Sequence, residues 1–418
     1  MPKSHIATIG KVVRKVTRLR GGGSAFPGLV IEKIDPHFTR DVLATLPRGV
    51  VIVSGTNGKT TTTKMVVELL EGQGLKVFTN RTGSNFARGV TAALLAEINY
   101  KGEIDADIAV LELDEAHAVK FVDVVPPQHS LLLNVMRDQL DRFGEIDTTA
   151  KMLQHIAKAT TETVVLNRED PRVAAIADTI SLTPHYFGLA PQLKKQFSSG
   201  DESGLESKNN AADVTLESFT DTSATFLVDK KPITTTLQLR GMYNIFNAAA
   251  ALTMTRAILE SDIDDTKLMA SLAAIAPAFG RGETLTINDQ PIELVLVKNP
   301  SGFRLALQSF SPKNYATMIA INDNYADGRD MSWLWDVNFE SLHTTGVHTV
   351  SGVRAYDMAL RLQYDDVEVS HVDTKITPAL EHFLARNDET PKRIFCTYTA
   401  MLAIRKELAK ITEVEKVL

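Results

Sequence analysis

Residues 50 to 60 restrict the fold more than any other stretch. Val50-Val51-Ile52-Val53 runs through Ser54 into Gly55-Thr56-Asn57-Gly58-Lys59-Thr60, and residues from Thr60 to Leu70 then follow helical spacing. A β-branched strand, a glycine turn and a helix in that order place backbone N–H groups and a helix N-terminus where phosphate can be held. Lys59 would neutralise terminal phosphates, the Thr60 hydroxyl would ligate magnesium, and Gly55 and Gly58 would let the backbone approach the anion. The spacing departs from the general G-x-x-x-x-G-K-[ST] form, because Val53 and Ser54 occupy the positions just before Gly55.

The pattern around this turn is that of an α/β protein. Lys76-Val77-Phe78, Ile108-Ala109-Val110-Leu111, Ser130-Leu131-Leu132-Leu133 and Val164-Val165-Leu166 are short apolar runs separated by helical stretches, as a parallel sheet requires. Alternation in Val214-Leu216-Phe219, Ala224-Phe226-Val228 and Ile233-Leu237-Leu239 predicts an antiparallel meander before a helix beginning near Tyr243. Past Gly280-Arg281-Gly282-Glu283, strands are expected at Glu293 to Val297, Ala316 to Ile321, Val347 to Ser351 and Arg393 to Thr397. The chain of 418 residues suits more than one core. We divide it into an N-terminal segment (1–45), a central domain (46–285) and a smaller Rossmann-like α/β domain (286–418).

The N-terminal segment carries Lys11, Arg14, Lys15, Arg18 and Arg20 before Gly21-Gly22-Gly23-Ser24-Ala25-Phe26-Pro27-Gly28, which reads as a helix followed by a loop. Its charges suit either a solvated helix face or anionic head groups. The polar stretch from Lys194 to Asn210 reads as an exposed loop. Overall, 45 basic residues against 51 acidic ones give a net charge of -6, without the basic excess of a nucleic-acid binder. The single cysteine, Cys396, excludes an internal disulfide and a Cys-based zinc cluster, and its place in Ile394-Phe395-Cys396 favours a buried thiol over a nucleophile. No apolar run reaches the roughly 20 residues of a membrane span, and the N-terminus lacks the apolar region of a secretory signal, so a cytoplasmic location is expected.

Gly55 to Thr60 in this shorter form resembles the P-loop of the Mur ligase superfamily, and further blocks match in the same order. Thr82-Gly83-Ser84-Asn85 follows the second strand, and Leu111-Glu112-Leu113-Asp114-Glu115 ends the next. Asn134-Val135-Met136-Arg137-Asp138-Gln139-Leu140-Asp141-Arg142-Phe143-Gly144 is similar to the family's N-x-x-x-D-H-L-D block, with Gln139 in place of histidine. Asn167-Arg168-Glu169-Asp170-Pro171, Gly241-Met242-Tyr243-Asn244-Ile245-Phe246-Asn247 and Gly280-Arg281-Gly282-Glu283 complete the series.

Within the superfamily, Lys298-Asn299-Pro300 and Asn322-Asp323-Asn324-Tyr325-Ala326-Asp327-Gly328-Arg329-Asp330-Met331-Ser332-Trp333-Leu334-Trp335-Asp336 are similar to the MurT family, the ligase subunits of lipid II isoglutaminyl synthase. The P-loop begins at residue 55, which leaves no room for the separate N-terminal domain that cytosolic Mur ligases use to hold a UDP group. A different substrate anchor is implied. Many MurT proteins carry a four-cysteine zinc ribbon; a chain with one cysteine cannot, so no zinc is expected.

The resemblance implies an ATP-dependent carbon–nitrogen ligase that amidates the D-glutamate α-carboxylate of lipid II through an acyl phosphate, at the inner face of the membrane. It implies ATP held by Gly55, Thr56, Asn57, Gly58, Lys59, Thr60, Thr61, Asn85, Asn244, Asn247 and Arg281, with Lys59 also catalytic. Mg²⁺ would lie on Thr60 and Glu112. Asn244 and Asn247, three apart on one helix face, would meet adenine, and Lys151 lies where several Mur ligases carry a carbamylated lysine. Ammonia would come from a glutamine amidotransferase subunit (GatD-like) in a heterodimer, whose Cys-His-Asp triad Asp336, or else Asp330, would complete. Two other readings are a stand-alone Mur or folylpolyglutamate-type amino acid ligase, which would turn over without a glutaminase, and a non-catalytic nucleotide-binding scaffold, which would not hydrolyse ATP.

Overall fold

A computed structural model of the chain describes residues 3–19, 26–80, 86–136, 146–197, 210–220, 222–239, 241–276, 281–287, 290–385 and 390–414. The central strand β1 (Val50–Ser54) is buried along its whole length. Val51 and Val53 face one core, with α4 (Lys59–Gly72), α8 (Met242–Leu259) and α9 (Asp265–Ala274). Val50 and Ile52 face the other, with α1 (Lys3–Leu19), α2 (Phe26–Ile34), α3 (Phe38–Leu43), α5 (Ala87–Glu97), α6 (Glu115–Val122) and α7 (Ile146–Ala159). Helices on both faces explain why the strand reads as an unbroken aliphatic run rather than as an alternation.

The remaining strands of this sheet are β2 (Val77–Thr79), β3 (Ile108–Glu112), β4 (His129–Leu132), β5 (Thr163–Asn167), β6 (His185–Leu189), β7 (Val214–Phe219), β8 (Ser223–Val228) and β9 (Lys231–Thr236), in the order β2-β3-β1-β4-β5-β6-β7-β8-β9. Pairing is parallel from β2 to β7 and antiparallel through the expected meander. The connection between β3 and β4 passes over β1, so the carboxyl end of β1 is a switch point, where open α/β sheets bind ligands.

A second sheet has the order β10-β11-β15-β12-β13-β14, from β10 (Arg281–Ile287), β11 (Gln290–Leu296), β12 (Ala316–Ala320), β13 (Val347–Ser351), β14 (Val369–Asp373) and β15 (Lys392–Cys396). It is parallel except for the β10–β11 pair. Among its helices, α10 (Pro300–Ser309) follows β11, α11 (Ala355–Tyr364) follows β13, α12 (Ile376–Leu384) follows β14 and α13 (Tyr398–Leu408) follows β15. Cys396 is fully buried in β15, and burial pushes its thiol far above the usual range.

Several expectations are corrected here. β10 runs across residues 285 and 286 and pairs only within the second sheet, so the change of sheet falls before Arg281 rather than at the division drawn from sequence. Phe26-Pro27-Gly28 opens α2 instead of ending a loop, since proline is favoured in a first helical turn. Gly28 serves close packing there: a Cβ would lie 2.1 Å from the Arg88 carbonyl oxygen of α5. Lys194–Phe197 is a helical turn that buries Phe197 against Tyr243 and Phe246, while residues 198–209 of the expected loop lie outside those described. β14 is partly exposed and polar, so it carried no apolar run by which to be read.

His129, at the start of β4, gives the fold a pH dependence. Burial is the main cause holding its imidazole down to about 4 from 6.5; the nearby Arg48 backbone opposes it and the Arg48 charge adds to it. Glu162 stands 3.9 Å away, but its side chain is 62% exposed and screened by solvent, so burial governs. Between pH 6.5 and 4 the unfolded chain therefore binds the extra proton. This group's stabilisation is full above 6.5 and is lost as pH falls toward 4, on the order of 3 kcal/mol in all. Urea midpoints measured across that window should fall for the native chain and fall less for His129→Gln.

Candidate active site

The turn after β1 is fixed by backbone conformation and by the strand beside it. Gly55 and Gly58 have φ of 133° and 89°, which side chains rarely adopt. A Cβ on Gly55 would meet the Asn134 nitrogen at 2.9 Å, and one on Gly58 would meet Asn247 Nδ2 at 2.7 Å. Asn134 clamps the turn: its Oδ1 accepts from the Asn57 N–H at 2.9 Å, and its Nδ2 donates to the Asn57 carbonyl at 2.9 Å. The Thr56 N–H donates to the Asn134 carbonyl at 3.0 Å, and the Thr56 hydroxyl accepts from the Met136 N–H at 3.1 Å.

The Asn167 to Pro171 block acts through this clamp. Asp170 caps the short helix Pro171–Ala174 and also accepts from the Val135 N–H at 2.6 Å, while Asn167 Nδ2 donates to the Leu133 carbonyl at 2.8 Å. Both hold the backbone on either side of Asn134. Arg137 to Gly144, including Gln139, lies outside the described residues.

Lys59 opens α4 and is only 6% exposed. Its ammonium donates to the Gly55 carbonyl at 2.7 Å and pairs with Asp114 at 3.1 Å and Glu115 at 3.7 Å. Burial alone would raise the Asp114 carboxyl, but the Lys59 and Lys298 charges outweigh it and hold the group below its usual value. The exposed Thr60 hydroxyl donates to Glu112 Oε1 at 2.9 Å, and Asn80 fixes the Glu112 backbone through bonds of 2.9 and 3.0 Å. A hydroxyl and a carboxylate side by side are hard oxygen donors of the kind that could hold a magnesium ion.

The second domain completes the cleft. Gly58, Thr61, Asn134, Tyr243, Asn244 and Asn247 line one side, and Lys298, Gly302, Leu305, Ala306, Ser309 and Phe310 line the other. Asn299 caps α10 through the Gly302 N–H at 2.6 Å, and its Nδ2 donates to Asn57 Oδ1 at 3.2 Å, joining the two domains across the turn. Asn244 and Asn247 sit at the start of α8, where Ala248, Ala249, Ala250 and Ala251 are all buried and let the helix pack closely on α4. Leu305, Ala306 and Phe310 give this end of the cleft the apolar surface that a base requires.

The structure thus brings Gly55 to Thr61, Glu112, Asn244 and Asn247 together. Arg281 begins β10 but its side chain is not among those described, and Asn85 lies outside the described residues. Lys151 is exposed on α7. Asp336 ends the turn Ser332–Asp336 in the second domain and is exposed, as is Asp330, whose carboxylate accepts from the Ser332 N–H at 2.9 Å. Sequence reasoning passed over Asp114 and Glu115 as partners of Lys59, although both lie in a quoted block. Lys298 lies in a quoted family block but was given no role there, and Leu305 and Phe310 carry no signal of their own, because only domain packing turns them toward the turn.

Comparison with known proteins gives the fold and the family. The Mur ligase middle domain family matches residues 53–255, and the MurT ligase C-terminal family matches residues 296–401. Among solved structures, MurF ligase from Thermotoga maritima in complex with ADP aligns with a TM-score of 0.68 at 18% identity, covering 90% of this chain and 84% of that one. A pseudomurein peptide ligase type C from Methanothermus fervidus aligns with a TM-score of 0.67 at 18% identity, covering 91% of this chain and 81% of that one. The P-loop sheet closed by a second α/β domain is therefore the Mur ligase fold.

The lipid II isoglutaminyl synthase (glutamine-hydrolyzing) subunit MurT of Streptococcus pneumoniae is 32% identical, over 95% of this chain and 94% of its own length. The subunit of that name from Staphylococcus aureus (strain COL) is 29% identical, over 86% of this chain and 87% of its own. The chain belongs to the MurT family of lipid II isoglutaminyl synthase subunits.

Proposed function

We propose that this chain is the ligase subunit that amidates the D-glutamate α-carboxylate of lipid II, using ATP and ammonia delivered by a glutamine-hydrolysing partner. The observation that carries the reading is the cluster of Lys59, Thr60 and Glu112 at the carboxyl end of β1, with Lys298 facing it from the second domain. In the first step a carboxylate oxygen attacks the γ-phosphorus, an O–P bond forms, the bond to the β-phosphate oxygen breaks, and ADP leaves. In the second, ammonia attacks the acyl carbon, the C–N bond forms, phosphate leaves with the C–O electron pair, and the nitrogen gives up a proton.

Lys59 would exchange its carboxylate partners for phosphate oxygens, and Lys298 would add a second cation from the facing wall. Such fixed charges lower a phosphoryl-transfer barrier by positioning and by offsetting charge as it develops. Magnesium held by Thr60 and Glu112 would neutralise further phosphate charge. Asn244 and Asn247 would orient the base beside Leu305 and Phe310. Glutamine hydrolysis falls to a second subunit, because the chain's one cysteine is buried with its thiol held protonated. Of the two candidate aspartates, Asp336 is assigned to the partner's triad by its position in the family motif, with Asp330 as the runner-up. The lipid-linked substrate sets the place of work at the inner face of the membrane.

The test is mass analysis of lipid II after incubation with the two-subunit complex, ATP and glutamine. The expected result is the small decrease that accompanies conversion of a carboxylate to an amide. A mass gain equal to an added amino acid, produced by this chain alone, would replace this reading with that of an amino acid ligase.

A further inference from the structure

Helix α1 has two unlike faces. Ile6 and Ala7 are fully buried in the core shared with Ile31 and Leu94. Gly10 lies so near α5 that a Cβ would come within 2.3 Å of Leu95 Cδ2. On the outer side, Val12, Val16 and Leu19 follow one another at i, i+4 and i+7 and are 58, 45 and 80% exposed. Exposed Lys15 and partly exposed Lys11 and Arg14 flank this stripe. The Lys11 ammonium lies 4.9 Å from the ring centre of Tyr100, which is itself largely exposed.

Two properties separate this face from an ordinary solvated helix. The central outward positions are aliphatic where a solvated helix carries polar residues. The charge along this stretch of sequence has one sign: Lys3, Lys11, Arg14, Lys15, Arg18 and Arg20 precede the first acidic residue, Glu32, in a chain whose net charge is -6. Aliphatic side chains bordered by long basic ones, with an amphipathic aromatic beside them, suit the boundary between anionic head groups and acyl chains. Three side chains offer far less than the roughly 800 Å² per partner of a stable protein interface, whereas shallow insertion aided by charge attraction suffices at a bilayer.

We propose that the outer face of α1 docks on an anionic lipid bilayer and holds the enzyme there as a peripheral protein. The docking gives the ligase access to a lipid-linked substrate, and in that purpose it rests on the function proposed above. Its test does not, since vesicles without lipid II report partition alone and a soluble stem-peptide analogue reports amidation alone.

The experiment is co-sedimentation of the complete two-subunit complex with phosphatidylcholine vesicles, with and without phosphatidylglycerol. Binding is expected only with phosphatidylglycerol and should weaken as salt is added. Lys11→Gln/Lys15→Gln should lower partition by about 25-fold, roughly fivefold per charge. Leu19→Glu alone should lower it, and Val12→Glu/Val16→Glu/Leu19→Glu should abolish it; the altered side chains are exposed, so thermal midpoints should stay unchanged. Absence of binding by the native complex, or native-like binding by both glutamate variants, overturns the proposal. So does a fall in the mass of the lipid-free complex caused by Leu19→Glu, which would assign the stripe to a protein interface. Loss of amidation with vesicle binding intact would count against the proposed function and not against the docking face.

Discussion

Lys59→Ala in the intact complex is expected to lower ATP-dependent amidation by about 10³-fold, the scale of losing a preorganised charge at a transferring phosphoryl group. The same change should cost about 3 kcal/mol of stability, because it leaves the buried Glu115 without Lys59, while Asp114 keeps the Lys298 charge. The buried group in the pair is Glu115, whose side chain is 6% exposed, so most of that cost falls there. Steady-state rates, calorimetry of nucleotide binding and urea midpoints separate the effects. A variant that turns over within tenfold of the native rate would remove Lys59 from the chemistry, even if it were less stable. Glu115→Gln, which leaves Lys59 its bonds to Asp114 and the Gly55 carbonyl, should retain most of the activity.

Asp336→Asn is expected to abolish glutamine-dependent amidation, by roughly 10³- to 10⁴-fold, while leaving ammonia-dependent amidation nearly unchanged. An asparagine in a Cys-His-Asp relay keeps the shape of the carboxylate but cannot stabilise the imidazolium or select its tautomer. The surroundings of Asp336 are fixed: Arg361 donates to the Val337 carbonyl at 2.6 Å and pairs with Asp365 at 2.7 Å, and Trp335 packs edge-on to Tyr364 with ring centres 5.0 Å apart. An exposed carboxylate on a braced turn is suited to reach into another subunit. Asp330→Asn serves as the contrast, since Asp330 supports its own turn and its loss should leave glutamine use intact. Equal loss of both nitrogen sources in Asp336→Asn would refute the assigned role, and parallel measurements with glutamine and ammonium salts decide it.

The phosphate-binding turn was legible because it is local: the β-branched strand, the two glycines and Lys59-Thr60 lie within eleven residues. Parallel strands buried on both faces declare themselves as aliphatic runs, and β1 to β5 of the first sheet stand close to where they were expected, whereas β6, with the sequence His185-Tyr186-Phe187-Gly188-Leu189, carries no such run and was not anticipated. Strands without such runs did not, β14 being the plainest case. Asn247 was tied to the nucleotide by family likeness; its contact with Gly58 follows from the packing of α8 on α4.

By itself, the sequence determined the chemistry on offer: a P-loop with Lys59 and Thr60, a carboxylate at the end of a strand, and a single cysteine. Tertiary structure decided how those groups are charged and enclosed. Lys59 meets Asp114 and Glu115 only because β3 lies beside β1. Asn299 reaches Asn57 across 242 residues of chain, and Lys298 faces the same cleft. The physical reason is range: backbone conformation and side-chain period act over a few residues and are written in order. Burial and electrostatic pairing depend on distance in space, which is set only when helices and sheets pack.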